Sequence, residues 1–119
     1  MPTHPSYTPA HGAQPLVSFI VPTYNLPVDM LRESLDSIMD LSLTQEEREI
    51  IVIDDGSINS PLAALADGID QIIYIRQPNK GAAAARNTGL GIAKGRYIQF
   101  VDGDDRLVRS GYEHCLDTI

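Results

Sequence analysis

The sequence predicts an α/β fold, an open and mostly parallel sheet with helices on both faces. Two observations carry this prediction. Short β-rich runs alternate with helical patterns along the chain, and the run Ile50–Ile53 is apolar at every position, as a central parallel strand buried on both faces must be. The chain has 119 residues, of which 43% are hydrophobic and 21% charged, so it can build the core of one domain.

The first three elements follow from local patterns. A strand is predicted at Val17–Val21, where β-branched and aromatic residues precede Pro22, which ends it. A helix begins after the loop at 23–27 and ends before Leu43, because four apolar residues recur on one helical face: Leu31, Leu35, Ile38 and Met39. The second strand is the apolar run Ile50–Ile53, which polar turn residues terminate.

The remaining elements continue the alternation. Ser60 and Pro61 are typical of an N-cap and a first helical position, and they predict a short helix to about Ala66. The third strand is predicted at Ile72–Ile75. An alanine-rich helix with a basic residue and a glycine at its end, and a β-rich run, complete the pattern: Ala82–Ala93 with Lys94 and Gly95, then Tyr97–Val101.

Charge and cysteine content argue against several classes of function. Nine Lys and Arg against sixteen Asp and Glu give a formal net charge of −7, which argues against a nucleic-acid partner. The single cysteine, Cys115, cannot form an internal disulfide or a cysteine-based zinc site, which favours a reducing compartment. We therefore expect a cytoplasmic protein, at most peripheral to the inner face of a membrane.

The segment 1–15 is predicted to be a flexible leader. It holds four prolines and no Lys or Arg, and it lacks the basic start and apolar stretch of a secretory signal. No apolar run approaches the ~20 residues that span a bilayer, so we expect no transmembrane segment. The predicted domain covers residues 16–119.

Polar residues cluster where the predicted strands end. In open parallel sheets, ligands bind beyond the carboxyl ends of the strands, and four unusual loops fall there: Pro22–Asn25, Asp54–Ser57, Asn79–Gly81 and Asp102–Asp105. Any one of these loops alone is more typical of an ordinary turn. Together they predict one binding site.

The loop Asp102–Asp105 carries the most distinctive chemistry. Three carboxylates within four residues repel one another unless they are solvated or neutralised. Mg²⁺ or Mn²⁺ takes oxygen ligands and commonly binds through one or two carboxylates plus substrate phosphates, so a D-x-D at a strand end suits a metal-diphosphate site. From the motif alone, a metal site and a solvated acidic turn are about equally well supported.

Several motifs occur together between residues 16 and 117. They are VSFIVPTYN at 17–25, IIVIDDGS at 50–57, NKG at 79–81, ARN at 85–87, and GRYI at 95–98 running into DGDD at 102–105. In this order and spacing they resemble the family-2 glycosyltransferases of the GT-A fold. The resemblance implies a part of the domain that binds a nucleotide sugar, usually UDP-linked, with a divalent metal, Mn²⁺ or Mg²⁺, joining the diphosphate to the D-x-D.

The resemblance also implies roles for individual residues in nucleotide binding. The segment 22–24 would lie along the nucleotide, Asp55 would face the uracil edge, and Asp54 would line the same wall. Arg86 and Asn87 match a pair near the nucleotide, and a planar guanidinium can contact phosphate or orient a carboxylate. A surface salt bridge is the alternative for Arg86. The implied nucleotide-sugar site consists of Pro22, Thr23, Tyr24, Asn25, Asp54, Asp55, Gly81, Arg86, Asn87, Asp102, Gly103 and Asp105.

For the metal, the resemblance implies a direct ligand at Asp104, with Asp102 close to both metal and ribose and Asp105 facing the sugar. An acceptor hydroxyl, on a saccharide or a lipid-linked molecule, would attack with inversion while a carboxylate base takes its proton. In the family that base lies well beyond the D-x-D, so no catalytic residue is assigned in a chain that stops at Ile119. We expect a truncated domain, whose unpaired sheet edge favours association with a second copy.

Two other functions stay open. The chain could be a non-catalytic nucleotide-binding module. It could also be a phosphotransferase of the haloacid-dehalogenase kind, with Asp102 as nucleophile and Asp104 as acid, although that motif usually opens its domain and here lies near the end of the chain.

Overall fold

A computed structural model of the chain describes residues 14–65 and 72–103. Residues 1–13 of the predicted leader 1–15, the predicted helix end at Ala66, and Asp104, Asp105 and Cys115 lie outside the described residues. The elements are β1 (Val17–Thr23), α1 (Val28–Met39), β2 (Arg48–Asp54), α2 (Leu62–Leu65), β3 (Ile72–Arg76), α3 (Ala82–Ile92) and β4 (Tyr97–Phe100). The strands pair in parallel in the order β3-β2-β1-β4, which confirms the predicted alternation and sheet.

The two sheet faces are covered by different helices because successive strand residues point to opposite sides. On one face, Phe19, Val21, Ile50 and Val52 form a core cluster with the apolar face of α1. On the other face, Ile51 and Ile53 pack with Ala85 of α3. A Cβ on Gly89 of α3 would lie 2.5 Å from Ile20 Cγ2, so this glycine permits the close approach of α3 to β1. Helices on both faces are thus confirmed.

Pro22 does not end β1, contrary to the prediction, since the strand continues to Thr23. The backbone N and carbonyl of a strand residue face the same neighbour, and the Pro22 carbonyl accepts from the N–H of Gly103, on the β4 side. β4 has already ended at Phe100, so the missing N–H of Pro22 removes no ladder hydrogen bond. The first strand therefore carries Pro22 and Thr23 directly to the carboxyl edge of the sheet.

The ends of the other elements differ by one to three residues from the predictions. α2 starts at Leu62, whose N–H is capped by the Ser60 hydroxyl at 3.2 Å, as the N-cap prediction requires. α3 ends at Ile92, and β4 stops one residue short of Val101. Within the part of the chain that the structure describes, no helix is both long and apolar enough to cross a membrane.

Gly95 joins α3 to β4 at the amino edge of the sheet, and alanine there is expected to destabilise the fold. A Cβ on Gly95 would lie 2.6 Å from the backbone N and 2.7 Å from the Oγ of Ser18. Relieving this overlap has to move backbone, which costs about 1–3 kcal/mol. Urea denaturation of Gly95→Ala should show this loss of free energy of unfolding.

Gly91→Ala provides the matched control for that measurement. Gly91 lies within α3, and a Cβ there meets nothing within 4 Å. Because alanine has a higher helix propensity than glycine, we expect Gly91→Ala to raise the free energy of unfolding by about 0.5–1 kcal/mol. Equal stability of the two variants would contradict the packing role assigned to Gly95.

Candidate nucleotide-sugar site

A pocket of about 360 Å³ lies at the carboxyl edge of the sheet, where the loops after β1, β2 and β3 meet the first two residues after Val101. Eight of the residues named from the sequence line it: Pro22, Thr23, Tyr24, Asp55, Gly81, Arg86, Asp102 and Gly103. Four further lining residues were not among the named site residues: Leu26, Asn79, Ala82 and Ala85. Only Asn79 belongs to a loop that the sequence had marked.

Asp55 is a buried carboxylate on the pocket wall that also holds the loop after β3. Its Oδ1 accepts from Gln77 Nε2 and from the Lys80 N–H, both at 2.9 Å, and its Oδ2 accepts from the Gly81 N–H at 2.8 Å. Burial alone would raise the pKa of Asp55, but these three hydrogen bonds and the charge of Lys80 hold it below the ordinary value. Asp55 is therefore a fixed anion.

Asp54 is buried and does not line the pocket, whereas the resemblance implied that it would share a wall with Asp55. Its side chain is fully buried and accepts four hydrogen bonds, from the Ser57 N–H, the Ser57 hydroxyl, the Tyr74 hydroxyl and Arg76. The physical reason is strand alternation, which turns adjacent side chains at the end of β2 to opposite sides. Asp54 therefore joins β3 to the loop after β2.

Asn25 does not line the pocket, but it joins the loop after β1 to the loop after β2. Its backbone N–H donates to the Ser57 hydroxyl at 2.8 Å, and its Oδ1 accepts from the Ile58 N–H at 2.8 Å. Asn25 has φ of 52°, a left-handed conformation that asparagine tolerates better than most residues. This turn places its neighbours Tyr24 and Leu26 on the pocket wall.

Close backbone approach holds the loop after β2 against the loop after β3. Gly56 has φ of 84°, and a Cβ there would lie 2.8 Å from the backbone N of Asn79. A side chain at this position would be strained and would also push Asn79 outward. Gly56 is thus what lets Asn79 reach the pocket.

Arg86 and Asp102, which both line the pocket, form an ion pair. Arg86 Nη2 lies 2.9 Å from Asp102 Oδ1, and the two side chains are 35% and 49% exposed. Such an exposed pair contributes little to stability. Both residues line the pocket, so the pair places a guanidinium and a carboxylate side by side on its wall. Asn87 is the next residue of α3, is exposed and does not line the pocket.

The N-terminal end of α3 also borders the pocket, through Gly81 and Ala82. Gly81 has φ of 97°, and no side chain at the N-cap bonds to the first turn. Backbone N–H groups at this end of a helix carry partial positive charge and favour an anion. The pocket thus combines two carboxylates with a guanidinium and a helix N-terminus.

A divalent cation would find oxygen ligands here at Asp102. Within residues 14–65 and 72–103, no three acidic, His or Cys side chains come together as a metal-binding group. Mg²⁺ and Mn²⁺ commonly take one or two carboxylates and complete their shell with water and phosphate oxygens. The exposed carboxylate of Asp102 on the pocket wall therefore fits such an ion as one ligand of its set.

Comparison with known families decides the class of protein. The model of the family described as glycosyl transferase family 2 matches residues 18–119. The chain belongs to this family. Similar curated proteins include glycosyltransferase GlyA of Streptococcus pneumoniae, 41% identical over 75% of this chain, and the uncharacterized glycosyltransferase EpsJ of Bacillus subtilis, 42% identical over 88% of this chain. This family-2 chain spans 13% of the length of the first and 33% of the second.

Solved structures of glycosyltransferases share the fold. TarS of S. aureus in complex with UDP-GlcNAc matches with a TM-score of 0.72 and 27% identity, over 85% of this chain and 30% of TarS. The mannosyltransferase PcManGT of Pyrobaculum calidifontis, in complex with GDP-Man and Mn²⁺, matches with a TM-score of 0.75 and 26% identity, over 92% of this chain and 33% of PcManGT. The family-2 chain thus has the GT-A type of parallel sheet with helices on both faces.

Proposed function

We propose that this chain forms the donor-binding part of a glycosyltransferase that transfers a sugar from a nucleoside diphosphate to an acceptor hydroxyl. The observation that carries the proposal is the pocket itself, which brings an aromatic ring, a fixed carboxylate and an Arg–Asp pair to the carboxyl edge of one parallel sheet. Structural relatives that hold UDP, UDP-GlcNAc and GDP-Man support it.

The base of the donor, which we propose to be uracil, would occupy the side of the pocket at Tyr24 and Asp55. The Tyr24 side chain is 51% exposed and lines the pocket, so its ring offers a flat surface for a planar base. A carboxylate has about four acceptor positions, and three of those on Asp55 are used by Gln77, Lys80 and Gly81. The remaining one would accept from a ring N–H of the base.

The diphosphate would lie toward Arg86, Asp102 and the start of α3. A guanidinium and helix N–H groups both favour phosphate oxygens. We propose that Asp104 and Asp102 of the D-x-D hold Mn²⁺ or Mg²⁺, with Asp105 toward the sugar. When bound, the ion supplies stabilisation of the negative charge that grows on the leaving diphosphate. Arg86 keeps the Asp102 carboxylate oriented for this task.

The transfer itself we propose to proceed with inversion. The acceptor oxygen forms a bond to the anomeric carbon from the face opposite the diphosphate, the bond to the diphosphate breaks, and a carboxylate base takes the hydroxyl proton. Described residues of this chain hold the donor; none is assigned as the base. We propose a saccharide or lipid-linked acceptor and a role in polysaccharide synthesis. The names of two relatives support the role in polymer synthesis: the putative teichuronic acid biosynthesis glycosyltransferase TuaG and a poly(ribitol-phosphate) beta-glucosyltransferase.

Calorimetric titration with UDP, with and without Mn²⁺, tests the proposal. We expect Mn²⁺ to tighten UDP binding, and Asp102→Asn to reduce that gain by about tenfold or more, because a ligand oxygen and its charge are lost. Asp36→Asn, on an exposed side chain of α1, is the matched control and should retain the full gain. A folded Asp102→Asn chain with an unchanged Mn²⁺-dependent gain in UDP affinity would contradict the metal assignment.

An assay on the same protein tests the phosphotransferase named from the sequence. A phosphotransferase with Asp102 as nucleophile should release phosphate from p-nitrophenyl phosphate, and the proposed function predicts no such release. UDP binding without sugar transfer fits both a binding module and the donor-binding part of a glycosyltransferase. Phosphate release that Asp102→Asn abolishes would favour the phosphotransferase.

A further inference from the structure

A serine of α1 bonds to the backbone of Gly103, the residue after Asp102. Ser34 is fully buried on the sheet-facing side of α1. Its hydroxyl donates to the backbone carbonyl of Gly103 at 2.8 Å, across 69 residues of sequence. Gly103 directly follows Asp102, so this hydrogen bond anchors the turn on which the exposed carboxylate sits.

Contacts from β1 fix the same turn from a second side. The Gly103 N–H donates to the Pro22 carbonyl at 3.2 Å. A Cβ on Gly103 would lie 2.9 Å from Leu26 Cδ2 and 3.3 Å from Thr23 Oγ1, so the Gly103 backbone is packed closely against the end of β1 and the loop after it. These contacts hold the N–H and the Cα of Gly103, and the Ser34 hydroxyl holds its carbonyl.

We propose that Ser34 is a positioning residue for the donor site, a role that rests on the proposed function. By bonding to the Gly103 carbonyl, Ser34 holds in place the residue that follows Asp102, and so limits how far the backbone at Asp102 can tilt. Asp102 then meets both Arg86 and the pocket. Loss of the hydroxyl leaves the turn attached through Pro22 but free to tilt, which spreads the Asp102 carboxylate over several orientations.

Ser34→Ala tests this role without threatening the helix. Alanine is the better helix former, and it removes one hydroxyl while keeping the Cβ. UDP binding is measured by calorimetry with Mn²⁺ and again with the metal chelated. We expect the metal-dependent gain in affinity to fall about fivefold, the factor of one net hydrogen bond, and the metal-free affinity to stay unchanged within error.

Ser37→Ala is the matched control in the same helix. The Ser37 hydroxyl donates to the Ser34 carbonyl at 2.6 Å, a local bond within the helix. Its removal should leave both affinities unchanged. Ser34→Cys adds a second variant, because a thiol is only a weak donor and its larger sulfur does not fit the 2.8 Å contact to the Gly103 carbonyl. Its metal-dependent gain should fall as well.

The outcomes separate the positioning role from a structural one and from the proposed function. An unchanged metal-dependent gain in both folded Ser34 variants would overturn the positioning role. Equal weakening with and without Mn²⁺ would also overturn it, since that pattern marks general damage to the pocket. A wild-type chain that gains nothing from Mn²⁺ refutes the metal assignment itself, and the role of Ser34 falls with it.

Discussion

Replacing Asp54 with asparagine is expected to remove about 3 kcal/mol of the free energy of unfolding, the typical loss when a buried charge pair is broken. The buried Asp54 carboxylate is the acceptor in all four of its hydrogen bonds, which Ser57, Tyr74 and Arg76 donate. An amide in its place turns an NH₂ group toward at least one of these donors and leaves the Arg76 charge unpaired. The loss lies at the lower end of the range because the Arg76 side chain is 44% exposed.

The pH dependence of stability gives this prediction a second readout. Burial alone would raise the pKa of Asp54, but hydrogen bonds from Ser57 and Tyr74 and the charge of Arg76 lower it below the ordinary value. A lowered folded-state pKa contributes stability that is present above the unfolded pKa, about 3.9, and is lost as pH falls through the folded value. The difference between wild type and Asp54→Asn should therefore shrink below about pH 4.

Urea denaturation at neutral pH and near pH 3 measures both effects. The chain has no tryptophan, so far-UV circular dichroism is the suitable signal. Asp36→Asn is the matched control, because Asp36 pairs with Arg32 at 3.8 Å on an exposed part of α1 and should change stability by less than about 0.5 kcal/mol. If Asp54→Asn behaves like that control, the network around Asp54 does not stabilise the fold.

The sheet could be predicted because its signals are local and repeated. An uninterrupted β-branched run such as Ile50–Ile53, followed by turn residues, favours a strand covered on both faces. The structure places its alternate residues in two different core clusters. The position of the pocket followed from the same step, since parallel strands bring their carboxyl ends to one edge. Pro22 was misjudged because its effect depends on where the neighbouring strand ends, which is not written in the local sequence.

Roles within the pocket were harder to predict because they depend on pairing between distant segments. Asp54 and Asp55 are adjacent and chemically identical, yet one is held below the sheet edge by Tyr74 and Arg76 and the other faces the loop at Lys80 and Gly81. Strand alternation turns the two side chains to opposite sides, and the register of β2 against β3 places Arg76 beside Asp54. The contact from Ser34 to Gly103 likewise has no local signature, because a buried serine in a helix can bond to many backbone groups.

Asp55→Asn is expected to weaken UDP binding by on the order of tenfold or more, the factor for losing a charge-assisted hydrogen bond. The carboxylate accepts on Oδ1 from Gln77 and Lys80 and on Oδ2 from Gly81. In one orientation the asparagine NH₂ opposes the Gly81 N–H, and in the other it opposes both donors on Oδ1. Either way the loop after β3 shifts, and with it the pocket residues Asn79 and Gly81.

Gln77→Leu separates the effect of loop position on UDP affinity from the effect of the contact between Asp55 and the nucleotide base. It removes one of the three donors to Asp55 and leaves the carboxylate and the two backbone donors in place. We therefore expect a smaller loss of UDP affinity than for Asp55→Asn, with both chains checked for folding by circular dichroism. Equal losses would mean that UDP affinity depends on the loop alone and that Asp55 does not touch the base. A folded Asp55→Asn chain with wild-type affinity would exclude Asp55 from the donor site altogether. A carboxylate can accept from all three donors and from a ring N–H of the nucleotide base, and an amide cannot.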